Sequence, residues 1–252
     1  KLIITIFIVF FNSIAYARNA GETEITTDSG IEVFKKEKYY LLKKNVVIKS
    51  DDFELSADLV KAYFEKDLYD ITRIDSKGNV KLKSTKDIEA LGEKIDFDII
   101  NELIVIKGKD SYLDAKKVIM KSDELIEVNN LTGNFNLSGL NSNLKTETIY
   151  ISGTSIKGNF IDVDGENVVS ELFVVDENQS YIKTNKLDLY SLEANYSKKN
   201  NIIELFEKVK ILRDNESIIG DYAKINTLDE SYKVESKNTE KKVKVLLKKT
   251  NE

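Results

Sequence analysis

After Gly21, apolar positions fall in short β-branched and aromatic runs that alternate with polar ones, and Gly, Asn, Asp or Ser breaks each run. That pattern predicts many strands joined by tight turns, and helical spacing hardly occurs. One arrangement repeats: an apolar residue, a small residue two positions on, then apolar residues at the fifth and seventh positions after the first. It reads Leu55, Ala57, Val60, Ala62; then Ala90, Gly92, Ile95, Phe97; then Leu113, Ala115, Val118, Met120; then Leu144, Thr146, Ile149, Ile151. Looser copies follow at Val168, Ser170, Phe173, Val175; at Ile182, Thr184, Leu187, Leu189; and at Ile218, Gly220, Ala223, Ile225. Positions i and i+2 share a strand face, so the three-residue step after the small residue breaks the period once, and a bulge or corner restores it. Each copy is predicted to be one kinked strand with apolar side chains inward on both sides of the bend. Seven such strands build a curved sheet.

The outward positions carry Glu54, Asp58 and Lys61, then Glu89, Glu93, Lys94, Asp96 and Asp98, then Asp114, Lys116 and Lys117, so one side of the sheet is wet and the other apolar. That alternation predicts antiparallel sheets around a single interior, a jelly roll or sandwich rather than an α/β fold. Asn45-Val-Val-Ile-Lys and, 34 residues later, Asn79-Val-Lys-Leu-Lys, with an echo at Lys208-Val-Lys-Ile-Leu, read as turn-then-strand openings of a repeat.

Composition narrows the chemistry. The 252 residues are 41% apolar, enough for a real core, and Lys+Arg 38 against Asp+Glu 43 leaves a formal charge of -5, which provides no basic field for nucleic acid. Cysteine and histidine are both absent, which removes disulfides, thiolate and imidazole metal sites and every Ser-His or Cys-His catalytic arrangement. Residues Leu2 to Phe11 are apolar apart from Thr5, and the run ends at Ala15-Tyr16-Ala17, an A-x-A pattern that reads as a cleavable secretory signal over residues 1–17. The stretch from Leu2 to Ala17 reaches roughly 24 Å as a helix, short of the roughly 30 Å hydrocarbon core. A soluble protein after export is the expectation.

Other motifs carry less. Asp162-Val-Asp164-Gly165-Glu-Asn167 has oxygen ligands around a glycine but not the spacing of a calcium loop, so a hairpin turn is expected and no metal. The acidic pairs Asp51 with Asp52 and Asp96 with Asp98 are ordinary in so acidic a chain, and no catalytic residue or cofactor is assigned. The C-terminal stretch 237–252 is lysine-rich (Lys237, Lys241, Lys242, Lys244, Lys248, Lys249) around Val243-Lys-Val-Leu-Leu. It reads either as a solvated tail guarding an edge strand or as a surface for a partner strand or anionic lipid.

The signal segment, the Gly-Asn-Val openings and the small-residue motifs Leu55-Ser-Ala-Asp-Leu-Val, Ala90-Leu-Gly-Glu-Lys-Ile and Ile218-Ile-Gly-Asp-Tyr-Ala together resemble the OstA-like, LptA-type periplasmic proteins of lipopolysaccharide export. The resemblance is clearest over about Glu24 to Gly158 and continues to about Ser236. It implies an all-β fold, an open twisted antiparallel β-jelly roll spanning residues 18–236, extended or doubled from about residue 159. It further implies an apolar groove for lipid A acyl chains, lined by the inward side chains Phe53, Leu55, Val60, Phe64, Ile95, Phe97, Val118, Met120, Ile149, Ile151, Phe173, Leu187 and Leu189. The implied partners are lipopolysaccharide, an inner-membrane export complex and an outer-membrane translocon, met through edge strands, together with further copies stacked head to tail. An inner-membrane-anchored sister component of the same system and a structural or adhesive repeat protein with a closed core remain the alternatives.

Overall fold

The computed structural model describes residues 22–66, 70–85, 88–115, 118–213, 216–229, 231–237 and 242–247, so the predicted signal segment lies outside the described residues. Among the described residues the chain forms eighteen strands and no helix. They are β1 (Glu24–Thr26), β2 (Ile31–Phe34), β3 (Tyr39–Lys49), β4 (Phe53–Phe64), β5 (Ile71–Ser84) and β6 (Ile88–Asp98). Four short strands follow: β7 (Leu103–Lys107), β8 (Ser111–Ala115), β9 (Val118–Ser122) and β10 (Leu125–Asn129). The remainder are β11 (Asn134–Lys145), β12 (Tyr150–Val163), β13 (Glu166–Lys183), β14 (Asp188–Ser197), β15 (Ile202–Arg213), β16 (Glu216–Asn226), β17 (Tyr232–Glu235) and β18 (Lys244–Leu247). Every pairing is antiparallel, and the long strands pair with their neighbours in sequence, which makes one meander. β12 continues across residue 159, with a register irregularity against β13 at Asn159/Phe160.

A single seam folds this meander. Register shifts fall at Lys43/Val46, Ser56/Leu59, Lys77/Val80, Ser138/Ser142, Val175/Ser180, Tyr190/Glu193 and Phe206/Val209, one line running across the sheet. On the same line the chain breaks between β7 and β8 and between β9 and β10. The seam divides each long strand into two arms, and the arms form two facing leaves. One leaf holds β1, residues 46–49, 53–56, 80–84 and 88–91, β8, β9 and their successors through β18. The other holds β2, residues 39–43, 59–64, 71–77 and 94–98, β7, β10 and their successors through β17. Their inner faces merge into one hydrophobic core that runs from Leu42 to Ile225.

Local chemistry explains the seam. Lys44, Asn45, Asn79, Glu207 and Lys208 take left-handed backbone conformations, and Gly78 at φ +80° joins them. Each non-glycine residue there costs about 1 kcal/mol, offset by side-chain bonds across the corner. The Asn79 amide donates to Asp58 at 2.9 Å and the Asn45 amide to Asp28 at 2.6 Å. The shifted register frees carbonyls in the interior, and buried serines donate to them: Ser76 to Ile95 O at 2.7 Å, Ser142 to Gly139 O at 2.9 Å and Ser180 to Ser191 O at 2.9 Å. Among the described residues the buried polar side chains are six serines, on or beside this line.

The structure sorts the repeat into three kinds. The first, second and seventh copies are kinked strands, within β4, β6 and β16, as the pattern predicts; in β4 the buried set Leu55, Ala57, Val60, Ala62 and Phe64 changes parity once at the corner. The third, fourth and sixth copies are hairpins. Ala115 pairs with Val118 around Lys116 and Lys117, which lie outside the described residues, while Leu144 pairs with Ile151 and Ile182 with Leu189. Cross-strand partners share a face just as i and i+2 do, so the spacing cannot tell a bend from a hairpin. The fifth copy is out of frame. A second irregularity at Asn159/Phe160 shifts β13 beside Ser170, which turns Val169, Leu172 and Val174 inward and leaves Phe173 on the outer face, 38% exposed. Phe173 is therefore no lining residue of the interior.

Two further readings change. The Asn45, Asn79 and Lys208 motifs are mid-strand corners rather than strand openings, since each lies inside a long strand. The lysine-rich C-terminal stretch contributes β18, paired with residues 216–219 of β16. Asp164-Gly165 forms the expected hairpin turn, both residues at positive φ.

Candidate functional site

The leaves meet at the seam and separate on the opposite side, where the strand-end turns lie. Between β4, β5 and β6, Phe53, Leu55, Ile74, Ser76, Leu82, Ile95 and Phe97 surround a void of only about 10 Å³. Farther along the meander the open side holds a cleft of about 480 Å³.

Two turns of one design form one lip. Thr146 N–H donates to Ile149 O at 2.9 Å while its hydroxyl accepts from Ile149 N–H at 3.2 Å; Thr184 does the same with Leu187, at 2.9 and 3.1 Å. Ser50 makes the equivalent turn with Phe53 beside the small void. A Ser or Thr hydroxyl that replaces a backbone acceptor holds such a turn closed and aims the fourth residue inward. The other lip is the end of the opposite leaf. Beyond Phe160, whose N–H donates to Gly133 O at 2.9 Å, residues 161–168 pair only with each other among the described residues, because β11 reaches no farther than Asn159 and β14 no farther than Glu171, so the tip of the β12–β13 hairpin projects as a two-stranded ribbon beside the cleft. Phe160 anchors its base against Phe135, ring centroids 4.5 Å apart.

The cleft floor is apolar: Val118, Ile149, Val169, Leu187, Ile203 and Ile225, of which all but the partly buried Ile149 also belong to the core and are at most 6% exposed. Hydroxyls and amides line its rim, from Thr148, Asn167, Asn185, Asn226 and Thr227, and Glu147 is the sole ionisable carboxylate among the described lining residues. Burial raises the Tyr196 phenol on the wall, which keeps it neutral. An apolar floor beneath a hydroxyl- and amide-lined rim suits an amphiphile with an alkyl chain and a polar head, and the volume lies within the range of small-ligand sites.

Of the residues expected to line a groove, Val118, Ile149 and Leu187 reach this cleft. Phe53, Leu55, Ile95 and Phe97 surround the small void instead. Val60, Phe64, Met120, Ile151 and Leu189 are buried in the core, each at most 8% exposed, and Phe173 faces outward. The sequence reading missed Val169, Tyr196 and Ile203. The Thr-x-x-apolar turns at 146 and 184 were the available signal for this end, since they repeat Ser50-x-x-Phe53.

Residues 24–133 match the model of a family described as LptA/(LptD N-terminal domain) LPS transport protein. The resemblance read from the sequence holds over that segment, and the family is one of transport proteins, not enzymes. Among solved structures the chain is similar to LptH, the LptA homologous periplasmic component of the conserved lipopolysaccharide transport device from Pseudomonas aeruginosa, at 11% identity and a TM-score of 0.44, over 52% of this chain and 95% of that one. No curated protein matches the chain.

Proposed function

We propose that the protein is an exported, periplasmic lipopolysaccharide carrier that holds lipid A acyl chains in the cleft on the open side of its folded sheet. The observation that carries this reading is the cleft itself, with an apolar floor and a polar rim. Each methylene moved from water to the floor contributes about 0.8 kcal/mol, so the roughly 8 kcal/mol of micromolar binding takes about ten buried methylenes before the cost of association is counted. Sugars at the rim meet hydroxyl and amide partners.

The sheet ends support the bridging part of the proposal. Among the described residues, β1 and β2 at one end pair with β3 alone, and β17 and β18 at the other pair with β16 alone. Ile31 and Val33 at the first end, and Val245, Leu246 and Leu247 at the last, are exposed apolar residues on these unpaired edges. Such edges recruit a further strand, and joining the last edge of one copy to the first edge of the next gives an open stack able to meet membrane-bound partners in the same way. Uptake of a neutral fluorescent apolar probe, followed by its displacement with lipopolysaccharide, tests the carrier reading. Saturable uptake and full displacement are expected; a folded protein that takes up no probe refutes it.

A further inference from the structure

The two lips of the folded sheet are built from different turns, and they treat apolar side chains in opposite ways. At the first lip the Ser50, Thr146 and Thr184 hydroxyls close turns that aim Phe53, Ile149 and Leu187 inward. At the opposite lip an Asp or Asn side-chain oxygen closes the turn, and the aliphatic residue two positions after it points into water. Asp98 accepts from Asn101 N–H, Asn129 from Thr132 N–H and Asn226 from Leu228 N–H, each at 2.9 Å. The residues they present, Ile100, Leu131 and Leu228, are 62%, 62% and 75% exposed, and Ile161 and Val163 on the projecting ribbon are exposed with them. Among the described residues the turns of the first lip hold no exposed aliphatic side chain.

These tips are fixed in place. Asn130 N–H donates to Glu102 O at 2.9 Å, Phe160 N–H to Gly133 O at 2.9 Å and Thr227 N–H to Asn201 O at 2.8 Å, so turns along the lip are tied to their neighbours. The pairing of β7 with β10 and of β11 with β12 sets the Ile100, Leu131 and ribbon tips side by side, two strands or roughly 10 Å apart. A lip bonded in this way cannot fold its aliphatic tips back onto the core, and a row of them marks a contact surface. The sequence of the same turns, 99–102, 130–133, 161–166 and 227–231, includes Glu102, Asp162, Asp164 and Asp229 and contains no lysine or arginine.

We propose that this lip rests on a lipid surface of zwitterionic phospholipid, with the aliphatic tips in the head-group layer and the carboxylates facing its outermost ammonium groups. Affinity for such a surface grows with the apolar area that enters it, and an acidic lip is repelled by an anionic one. The contact is a property of the lip and does not depend on what fills the cleft. It turns the ribbon beside the cleft toward the lipid.

The sequence holds no tryptophan, so one placed at a tip reports on that site alone. Protein recovered from the cell envelope with Leu131→Trp, or with Leu140→Trp at the exposed seam as control, is titrated with vesicles of phosphatidylethanolamine and phosphatidylcholine. Emission from Leu131→Trp should shift to the blue and saturate, and emission from Leu140→Trp should not move. In vesicle flotation, Ile100→Ser/Leu131→Ser/Leu228→Ser should bind at least about tenfold more weakly than the parent. Its Tm and its uptake of an apolar probe should be unchanged, because all three side chains lie outside the core and the cleft. Replacing roughly a third of the lipid with phosphatidylglycerol should weaken binding at low salt, and about 0.5 M salt should restore it. Equal shifts from the two tryptophans, or equal flotation of parent and Ser variant, overturn the proposal. Tighter binding to the phosphatidylglycerol vesicles overturns it as well. A parent that binds no vesicle leaves the lip to a protein partner and overturns it too. Vesicle binding without probe uptake sinks the acyl-cleft reading and leaves the lipid-facing lip standing.

Discussion

Ile149 and Ile151 lie two residues apart beside one turn, yet they border different spaces. Ile151 is fully buried in the core, whereas Ile149 is partly buried and faces the 480 Å³ cleft. Truncating Ile151 to Ala removes methyl groups from closed packing and leaves a cavity, at a cost of about 4 kcal/mol. For a chain of this size that lowers Tm by about 8 to 16 °C. Ile149→Ala leaves no enclosed void, because the space it vacates joins one already open, so only the transfer loss remains, about 1 kcal/mol and about 2 to 4 °C. The binding effects reverse in rank. Ile149→Ala removes floor area and should weaken uptake of an apolar probe about fivefold, while Ile151→Ala, measured well below its Tm, should bind normally. Thermal unfolding by circular dichroism and probe titration on the same samples give both numbers. Equal destabilisation by the two substitutions, with probe uptake unchanged in Ile149→Ala, would mean that the leaves close together in solution and that the cleft is not a site.

At the seam, Asn79→Val should cost about 2 kcal/mol in urea unfolding, because a β-branched residue resists φ near +48° and the bond to Asp58 is lost, while Asn79→Gly stays within about 0.5 kcal/mol. Tyr222 donates to Glu204 at 2.5 Å, and that bond, with burial and the Glu204 charge, pushes its phenol up to about 12. The fold favours the neutral phenol, so its contribution is constant below about pH 10 and is lost as pH rises from about 10 to about 12; Tyr222→Phe should flatten that part of the Tm profile. Sedimentation over a concentration series should show continuous growth of the protein into longer species, abolished by deleting residues 244–252, which removes the β18 edge. A concentration-independent monomer would rule out the stack.

The all-β fold was legible because strand periodicity is a local signal: Leu55, Ala57, Val60 and Ala62 announce their shared face, and the parity change announces the corner. The pairing of β8 with β9 and the hairpins at 146–149 and 184–187 were not separable from corners, since the same apolar spacing serves both and turn chemistry alone distinguishes them. Thr146 and Thr184 held that chemistry, as small residues whose hydroxyls close four-residue turns. Phe173 was misplaced by one residue because the β-bulge beside Ser170 shows only in the pairing with β12. The cleft was the least legible feature. Whether two leaves fill or part depends on how far each strand reaches beyond its neighbours, as the ribbon 161–168 does, and no single strand records that length difference.

The most direct test of the acyl cleft places a photo-crosslinking amino acid at single positions in the protein within living envelopes and asks which of them capture lipopolysaccharide. Ile149, Val168 and Leu187 line the cleft, Phe173 faces outward on a neighbouring stretch, and Leu140 is exposed near the seam. Adducts at the first three positions and none at Phe173 or Leu140 are the predicted result. Adducts at Phe173 with none at Ile149 or Leu187 would place the lipid on the outer face and contradict the account.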